Sequence, residues 1–432
     1  MNALPTDPAV ESRAGLLAVD ADHLWHPWSP SRVSPDTVVA VSGRGCEVWD
    51  ADGRRYLDAK SSGLNATLGY GCRPVIDAVN AQLSRLMTYD MGEGANVPAI
   101  RLARRVAELT GPPLTRTFFC NSGSEAMETC IRIARFYHAV LGAPRRHLVV
   151  SFENAYHGAT MAAAACSAGS SPVAKEVTPA GFVTLPRPAR AADGAGALRD
   201  FLARHGDRTA AVLVEPVQSR GGHLLPDACL RDVRELCDRH GVLLVLDEVT
   251  TGFGRTGRMF GHQHSGVRPD LLATSKGLTA GYMSLAAVTT TEHVFDVFDA
   301  NKTKAGFVHG HTHSGHAAAC AAGLAVLDVV ESEGLVANAE ARGAQLLAAL
   351  EETRPLPYVR DVRGRGLLVS LELDGSRRAA RVRAHMKDGG VLVRRTGPNV
   401  LVAPPLIVTR DETERIATAL LAAVSAAATP AP

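Results

Sequence analysis

Short apolar runs without a polar face set the tightest limit on how this chain can fold. RTFFC, HLVVSF, AAVLVEP, GVLLVLDEV and DLLATS are each apolar-rich along their whole length, as strands covered on both faces should be. Between them lie amphipathic stretches such as SEAMETCIRIARFYHAV and DACLRDVRELCDRHG, the second ending in Gly241, a suitable left-handed C′ residue. Strands alternating with helices predict an α/β fold with a mostly parallel sheet. After about residue 330 the texture changes to a long helix (AEARGAQLLAALEE) and hairpin-like runs (VRGRGLLVSLEL, GVLVRRTGPNVLVAPPLI). That predicts a second, smaller α+β domain. Near the start, GCEVWDADGRRYL reads as a β-hairpin turning at Asp52-Gly53. The expected organisation is an N-terminal arm and hairpin (1–70) joining the small domain, a large domain (71–328) and a C-terminal small domain (329–432).

Composition narrows the class. With 432 residues, 46% hydrophobic and 21% charged, and a net charge of +2, the chain can bury a large core and is not disordered. The small net charge gives no footprint for nucleic acid or a membrane surface. No apolar run approaches the ~20 residues that span a bilayer, and MNALPTDPAVESRAG lacks a basic stretch followed by an apolar one. A soluble, cytoplasmic protein is expected. The eight cysteines are dispersed, with no C-x-x-C pair and no zinc spacing, so no metal is expected. Only six residues are lysine: 60, 175, 276, 302, 304 and 387. Amine chemistry would therefore have few candidates.

Ligands of open α/β sheets sit beyond the carboxyl ends of the strands, so the residues following each run are the candidates. RTFFC is followed by Asn121-Ser122-Gly123-Ser124-Glu125 and a helix. A small-residue loop at a helix start presents free N–H groups to a phosphate, although a plain N-cap turn has the same appearance. HLVVSF leads to Tyr156-His157-Gly158, AAVLV to Glu215-Pro216, GVLLVL to Asp247-Glu248, and DLLATS to Lys276-Gly277. An aromatic, a carboxylate, a phosphate loop and a lysine at successive strand ends are what a pyridoxal 5′-phosphate site requires. The lysine amine condenses with the cofactor aldehyde, and the carboxylate keeps the pyridine nitrogen protonated so that the ring draws off electrons.

NSGSEA, YHG, EP, LDEVTTGFGRTG, SKGLTAGYMSLAA, HGHTHSGHAAACAAGLAVL and RGRGLL stand in one order along the chain. In that order they resemble the class III (ω-) pyridoxal-phosphate-dependent aminotransferases, from about Trp25 to about residue 425. HLWHPWSP and GYMSLAA look most like the diaminopelargonate and broad ω-aminotransferases. The resemblance implies a PLP-dependent transferase of fold type I and a homodimer with shared active sites. It implies that Lys276 bonds to the cofactor and moves protons, and that Asp247 pairs with the pyridinium nitrogen. Val249 and Tyr156 would sandwich the ring, with His157 beside it and Glu215 close by. Ser122, Gly123 and Ser124 would bind the phosphate, joined by Thr312 from the partner subunit. Arg394 matches the arginine that takes an amino-acid carboxylate.

Four departures from these relatives bear on substrate. Thr250 stands where several members carry a Gln that contacts the cofactor hydroxyl, and it is too short for that contact. Arg220 replaces the Glu of ornithine- and γ-aminobutyrate-type members, which argues against those specificities. Leu64 and Asn65 occupy the neighbourhood of a missing tryptophan. Asp90 and Glu93 lie where the relatives are mostly apolar or aromatic, either as a solvated loop or as a site for a polyhydroxylated or cationic substrate. Trp28 replaces a tyrosine and could stack on a sugar-like or alkyl face. The expected activity is ping-pong amino transfer from an amine donor to an aldehyde or ketone, with an oxidised amino sugar of antibiotic biosynthesis as the favoured acceptor. A diaminopelargonate or general ω-amine:pyruvate-type enzyme is the alternative, and a PLP-dependent aminomutase or epimerase is the rival from another class.

Overall fold

The computed structural model describes residues 12–28, 34, 36–167, 177–188, 194–301 and 306–428. Three strands come first: β1 (Ala40–Arg44), β2 (Glu47–Asp50) and β3 (Arg55–Asp58). The central sheet is built from β4 (Leu114–Cys120), β5 (Leu148–Phe152), β6 (Phe182–Leu185) and β7 (Thr209–Val214). After a small ribbon of β8 (Val217–Gln218) and β9 (His223–Leu224), it is completed by β10 (Leu243–Asp247), β11 (Leu271–Thr274) and β12 (Ala286–Thr291). The C-terminal part adds β13 (Val359–Gly364), β14 (Val369–Leu373), β15 (Val391–Leu392), β16 (Arg394–Thr396) and β17 (Asn399–Val402).

The seven-stranded sheet runs β4-β12-β11-β10-β7-β5-β6. Its pairings are parallel except for β12, which is antiparallel to both β11 and β4. Every residue of β7, β10, β11 and β12 is buried. Side chains alternate between the two faces, so Leu244 and Leu246 enter one apolar cluster while Leu243 and Val245 enter the other. Each cluster is closed by helices, including Asp227–His240 on one side and Gly123–Val140 on the other. Gly241 ends the first of these in the left-handed conformation expected of it (φ 60°).

The N-terminal hairpin turns at Gly53 (φ 74°), and β15 pairs in parallel with β3. Chain start and chain end thus share a sheet, and Leu57 and Leu68 lie in one core with Leu371, Val400 and Ile416. The remaining C-terminal strands form a four-stranded antiparallel sheet, β13-β14-β17-β16. Arg255, fully buried, ties these parts to the TGFGRTG loop. It donates to the carbonyls of Leu367 (3.0 Å) and Pro404 (2.5 Å) and to Ser61 Oγ (3.2 Å). Gly366 of the RGRGLL run lies flat on this loop at φ 55°, where an added Cβ would come within 2.4 Å of the Thr256 carbonyl carbon. Arg365 beside it pairs with Asp227 at a helix start (2.8 Å), which gives it a structural role. No helix among the described residues is long and apolar enough to cross a membrane.

Candidate active site

The carboxyl ends of β5, β7, β10 and β11 meet on one edge of the sheet. Asp247 closes β10, and both of its oxygens are engaged: Oδ1 accepts from Val249 N (3.0 Å) and Oδ2 from His157 Nδ1 (2.8 Å). Burial works against charge on His157, but the hydrogen bond and charge of Asp247 outweigh it and hold the imidazole above its ordinary pKa. Glu215, after β7, accepts from Tyr156 N (2.9 Å) and Ser219 N (2.8 Å). Burial and nearby Asp247 push its carboxyl up, against His157 and these hydrogen bonds.

Lys276 follows β11 in the left-handed region, at φ 35°. Such a backbone costs a non-glycine residue about 1–3 kcal/mol and must be held by its surroundings. Ser275 Oγ bonds the Leu285 carbonyl at 2.9 Å and fixes the turn. The amine is buried, and burial lowers it to about 8, with Arg394 adding to the fall and Asp247 opposing it. Its Nζ donates to Thr250 Oγ1 at 2.7 Å. The residue noted as too short for a cofactor contact thus touches the lysine.

Between β4 and its helix, Ser122 caps the Glu125 N–H (3.2 Å) and Ser124 Oγ accepts from Ala159 N (3.0 Å). Helix geometry leaves the N–H groups of Gly123 and Ser124 without intrahelical partners. A Cβ on Gly123 would approach Val249 Cγ1 to 2.8 Å, so only glycine brings this loop so close to the strand-end residues. Glu248, beside Asp247, is a structural clamp: it accepts from Thr251 Oγ1 (2.9 Å), His262 N (2.7 Å) and His262 Nδ1 (2.8 Å).

Above this floor, Tyr156 carries Trp28 edge-on (5.6 Å between centroids) and the Arg220 guanidinium over its face (4.9 Å). Arg394, the first residue of β16, is half-buried. Asp90, Glu93 and Thr312 are exposed, and His311, next to Thr312, brings its Nδ1 to 3.9 Å from Glu125 at the phosphate loop. Their two loops join: Asn96 Nδ2 donates to the Gly315 carbonyl (2.9 Å), and Ala318 N to that of Met87 (3.3 Å). His309 in the second loop stacks on Phe118 and bonds Thr129 Oγ1 (3.0 Å). Among the described residues no group of three His, Cys, Asp or Glu side chains is placed to hold a metal ion.

Residues 29–424 match the class-III aminotransferase family. The chain belongs to that family. It is 36% identical to the adenosylmethionine-8-amino-7-oxononanoate aminotransferase of Nitratidesulfovibrio vulgaris, over 95% of this chain and 82% of the relative. It is 35% identical to the taurine–pyruvate aminotransferase of Rhodobacter capsulatus, over 96% of this chain and 98% of the relative. Among solved structures, an amine transaminase from an uncultivated Pseudomonas species, in its PLP-bound form, superimposes with a TM-score of 0.87. That protein is 34% identical, and the match covers 94% of this chain and 98% of the other. The enzyme is thus a transaminase of fold type I whose cofactor is pyridoxal 5′-phosphate.

The residues present fit that cofactor. His157 Nε2 is buried without a hydrogen-bond partner beside Asp247, a polar edge left for a bound group to cover. The helix start at Gly123 offers N–H donors to a phosphate, and Lys276 offers an amine that is partly neutral near neutral pH. Sequence reasoning did not single out the Thr250–Lys276 hydrogen bond or the stacking of Arg220 on Tyr156. Each joins residues far apart in the chain, and no local pattern signals such a pair.

Proposed function

We propose that the enzyme transfers an amino group from an amino-acid donor to an aldehyde or ketone acceptor, the first product leaving before the acceptor binds. The observation that carries this reading is the buried Lys276 amine, held on Thr250 and lowered to about 8. Pyridoxal phosphate, when bound, supplies an electron sink for the carbon that bears the amine. Asp247, kept in place by Val249 N and His157, is the group to hold a proton on the ring nitrogen. Lys276 Nζ takes a proton from the substrate carbon and returns it, which suits an amine poised near working pH. Tyr156 and Val249 cover the ring, Ser122, Gly123 and Ser124 hold the phosphate, and Arg394 takes the donor carboxylate as a planar fork.

The working form we propose is a homodimer, as the family resemblance implies, in which the exposed Thr312 would reach the phosphate held by the partner subunit. The proposed acceptor is an oxidised amino sugar of the kind used in antibiotic biosynthesis. Two features support it: Asp90 and Glu93 ride on the loop joined to that of Thr312, and Leu64 is buried among Val217, Leu368, Leu401 and Ala403 with no aromatic wall at Asn65. The relative named for taurine and pyruvate supports a general ω-amine reading, which is the alternative.

A half-reaction tests the proposal. The yellow holoenzyme, given an amino acid without acceptor, should bleach and release one keto acid per site. An oxidised amino sugar should then restore the colour faster than pyruvate. Isomerisation of the amine with no keto acid released would replace transfer by an aminomutase or epimerase. Faster recovery with pyruvate would establish the ω-amine reading.

A further inference from the structure

Glu128 lies one turn beyond Ser124 on the helix Gly123–Val140 and is half-buried. Its carboxylate is engaged on a neighbouring strap, residues 158–163, which continues from Tyr156 and His157. Oε2 accepts from Thr160 Oγ1 (2.7 Å), Ala162 N (3.1 Å) and Ala163 N (3.0 Å). The short helix Met161–Ala165 begins there, and its N-cap, Thr160, makes no side-chain cap bond of its own. Glu128 replaces that cap, accepting from the two N–H groups that an N-cap hydroxyl would serve. The Thr160 hydroxyl is thereby free to donate. Its single hydrogen goes to Glu128 rather than to the Ser124 carbonyl, which is 3.4 Å away. Held in this way, the strap lies tight on the start of the longer helix. Gly158 has φ 132°, and a Cβ there would come within 2.8 Å of Ser124 Oγ and 2.9 Å of Ser124 Cα. Next to it, Ala159 N donates to Ser124 Oγ at 3.0 Å. A hydroxyl that accepts a backbone N–H on one side has its own hydrogen left to donate on another.

We propose that Glu128 is a positioning residue for the cofactor phosphate. By clamping the strap it fixes the Ala159 N–H against Ser124 Oγ, and so directs the Ser124 hydroxyl hydrogen to the phosphate. The proposal rests on the assignment of Ser124 to the phosphate above and deepens it. At the strap's other end Ser167 Oγ accepts from His157 N (2.8 Å) and bonds the Ala163 carbonyl (3.0 Å). One folded unit thus places both the phosphate donor and the imidazole that bonds Asp247. Alanine is a better helix former than glutamate, so removing the carboxylate spares the helix that carries it. Strap and helix can therefore be tested apart.

The test uses the full chain, freed of cofactor and reloaded with pyridoxal phosphate or with pyridoxal, which lacks the phosphate. Lys276 offers both the same amine, so the ratio of their dissociation constants reads the phosphate contacts. Glu128→Ala should lower the preference for the phosphorylated form about tenfold, with a native circular dichroism spectrum. Glu128→Gln, whose carbonyl oxygen can accept from the same donors, should lower it less than about threefold. The preference should also fall in Ser124→Ala. Adding Glu128→Ala to that variant should lower it by less than about twofold more, because the hydroxyl through which Glu128 acts is gone. Losses that multiply in the double variant, or equal losses for both ligands in Glu128→Ala, would overturn the proposal and leave Ser124 on the phosphate. If Glu128→Ala does not fold, Thr160→Val decides. It removes one donor to the carboxylate and should lower the preference about threefold, and an unchanged preference would overturn the clamp. An unchanged preference in Ser124→Ala would overturn both the clamp and the assignment of Ser124.

Discussion

The floor and the rim of the site are built on different physical terms. On the floor, His157, Glu215 and Asp247 are only 2, 5 and 4% exposed, and each is fixed by hydrogen bonds to backbone or to another floor residue. On the rim, Trp28 is 75% exposed, and Asp90, Glu93 and Thr312 stand in solvent. A dry floor is where a lysine can be lowered to about 8 and a His–Asp pair can hold its charge. An exposed carboxylate has no such leverage, because water screens it. The difference teaches that the titratable groups are packed inside the chain, where their protonation can be tuned, whereas the candidate substrate residues Asp90 and Glu93 lie at its surface. Substitutions should divide the same way: floor changes should abolish chemistry, and rim changes should redirect it.

The largest effect expected is that of Lys276→Ala. Cofactor absorbance characteristic of the lysine-bound form should vanish, and turnover should fall to background with the fold intact by circular dichroism. Normal turnover would remove Lys276 from the mechanism. Asp247→Asn comes next. An amide cannot hold the ring nitrogen protonated, and it no longer offers His157 a charge, so turnover should fall by about a hundredfold or more. Because the side chain keeps its shape, the melting temperature should change little by comparison. Full activity in this variant would mean that the nitrogen's partner lies elsewhere. On the rim, Asp90→Asn combined with Glu93→Gln should leave stability within about 0.5 kcal/mol, as for most exposed positions. The same pair should lower the preference for a cationic aldehyde over pyruvate by about tenfold. If both acceptors respond equally, these carboxylates are a solvated loop and the floor alone sets specificity.

The same division explains what could be read from the sequence. β4, β5, β7, β10 and β11 were legible because strands buried on both faces need unbroken apolar runs. β12 was not, since AAVTTT interleaves hydroxyls with methyls; inside the sheet its threonines find partners, Thr289 with Thr117 Oγ1 (3.2 Å) and Thr290 with the Asp270 carbonyl (3.1 Å). β6 is short and only half-buried to exposed at the sheet edge, so it carries little apolar signal. The floor residues were legible because strand ends dictate where a ligand sits. Arg255 was not: its partners Ser61, Leu367 and Pro404 are 112 to 194 positions away, and a buried arginine shows itself only when the carbonyls it serves are known. Arg220 was visible as a departure from relatives, yet its place over Tyr156 needed the β8–β9 turn to be built.

The smallest expected effect probes the finest feature of the floor, the contact between Lys276 and Thr250. An ammonium donates a stronger hydrogen bond than a neutral amine does, so Thr250 Oγ1, at 2.7 Å from Nζ, favours the protonated form. Burial pulls the other way and wins, leaving the amine at about 8. Below that pH the neutral fraction rises about tenfold per pH unit, and above it the fraction levels off. The rate at which apoenzyme captures pyridoxal phosphate should follow that curve. Thr250→Val removes the acceptor while keeping the volume, so burial should act with less opposition. The midpoint should move to lower pH by less than about one pH unit, and capture at pH 7 should speed up by a few-fold at most. Catalysis would then slow modestly, because an amine that holds its proton less well is a weaker base and takes the proton less readily from the substrate carbon. A midpoint that stays at about 8 with slower capture at every pH would show that Thr250 only aims the amine. That outcome would make the lysine's poise a property of burial alone, and the floor would owe its chemistry to dryness rather than to any single contact.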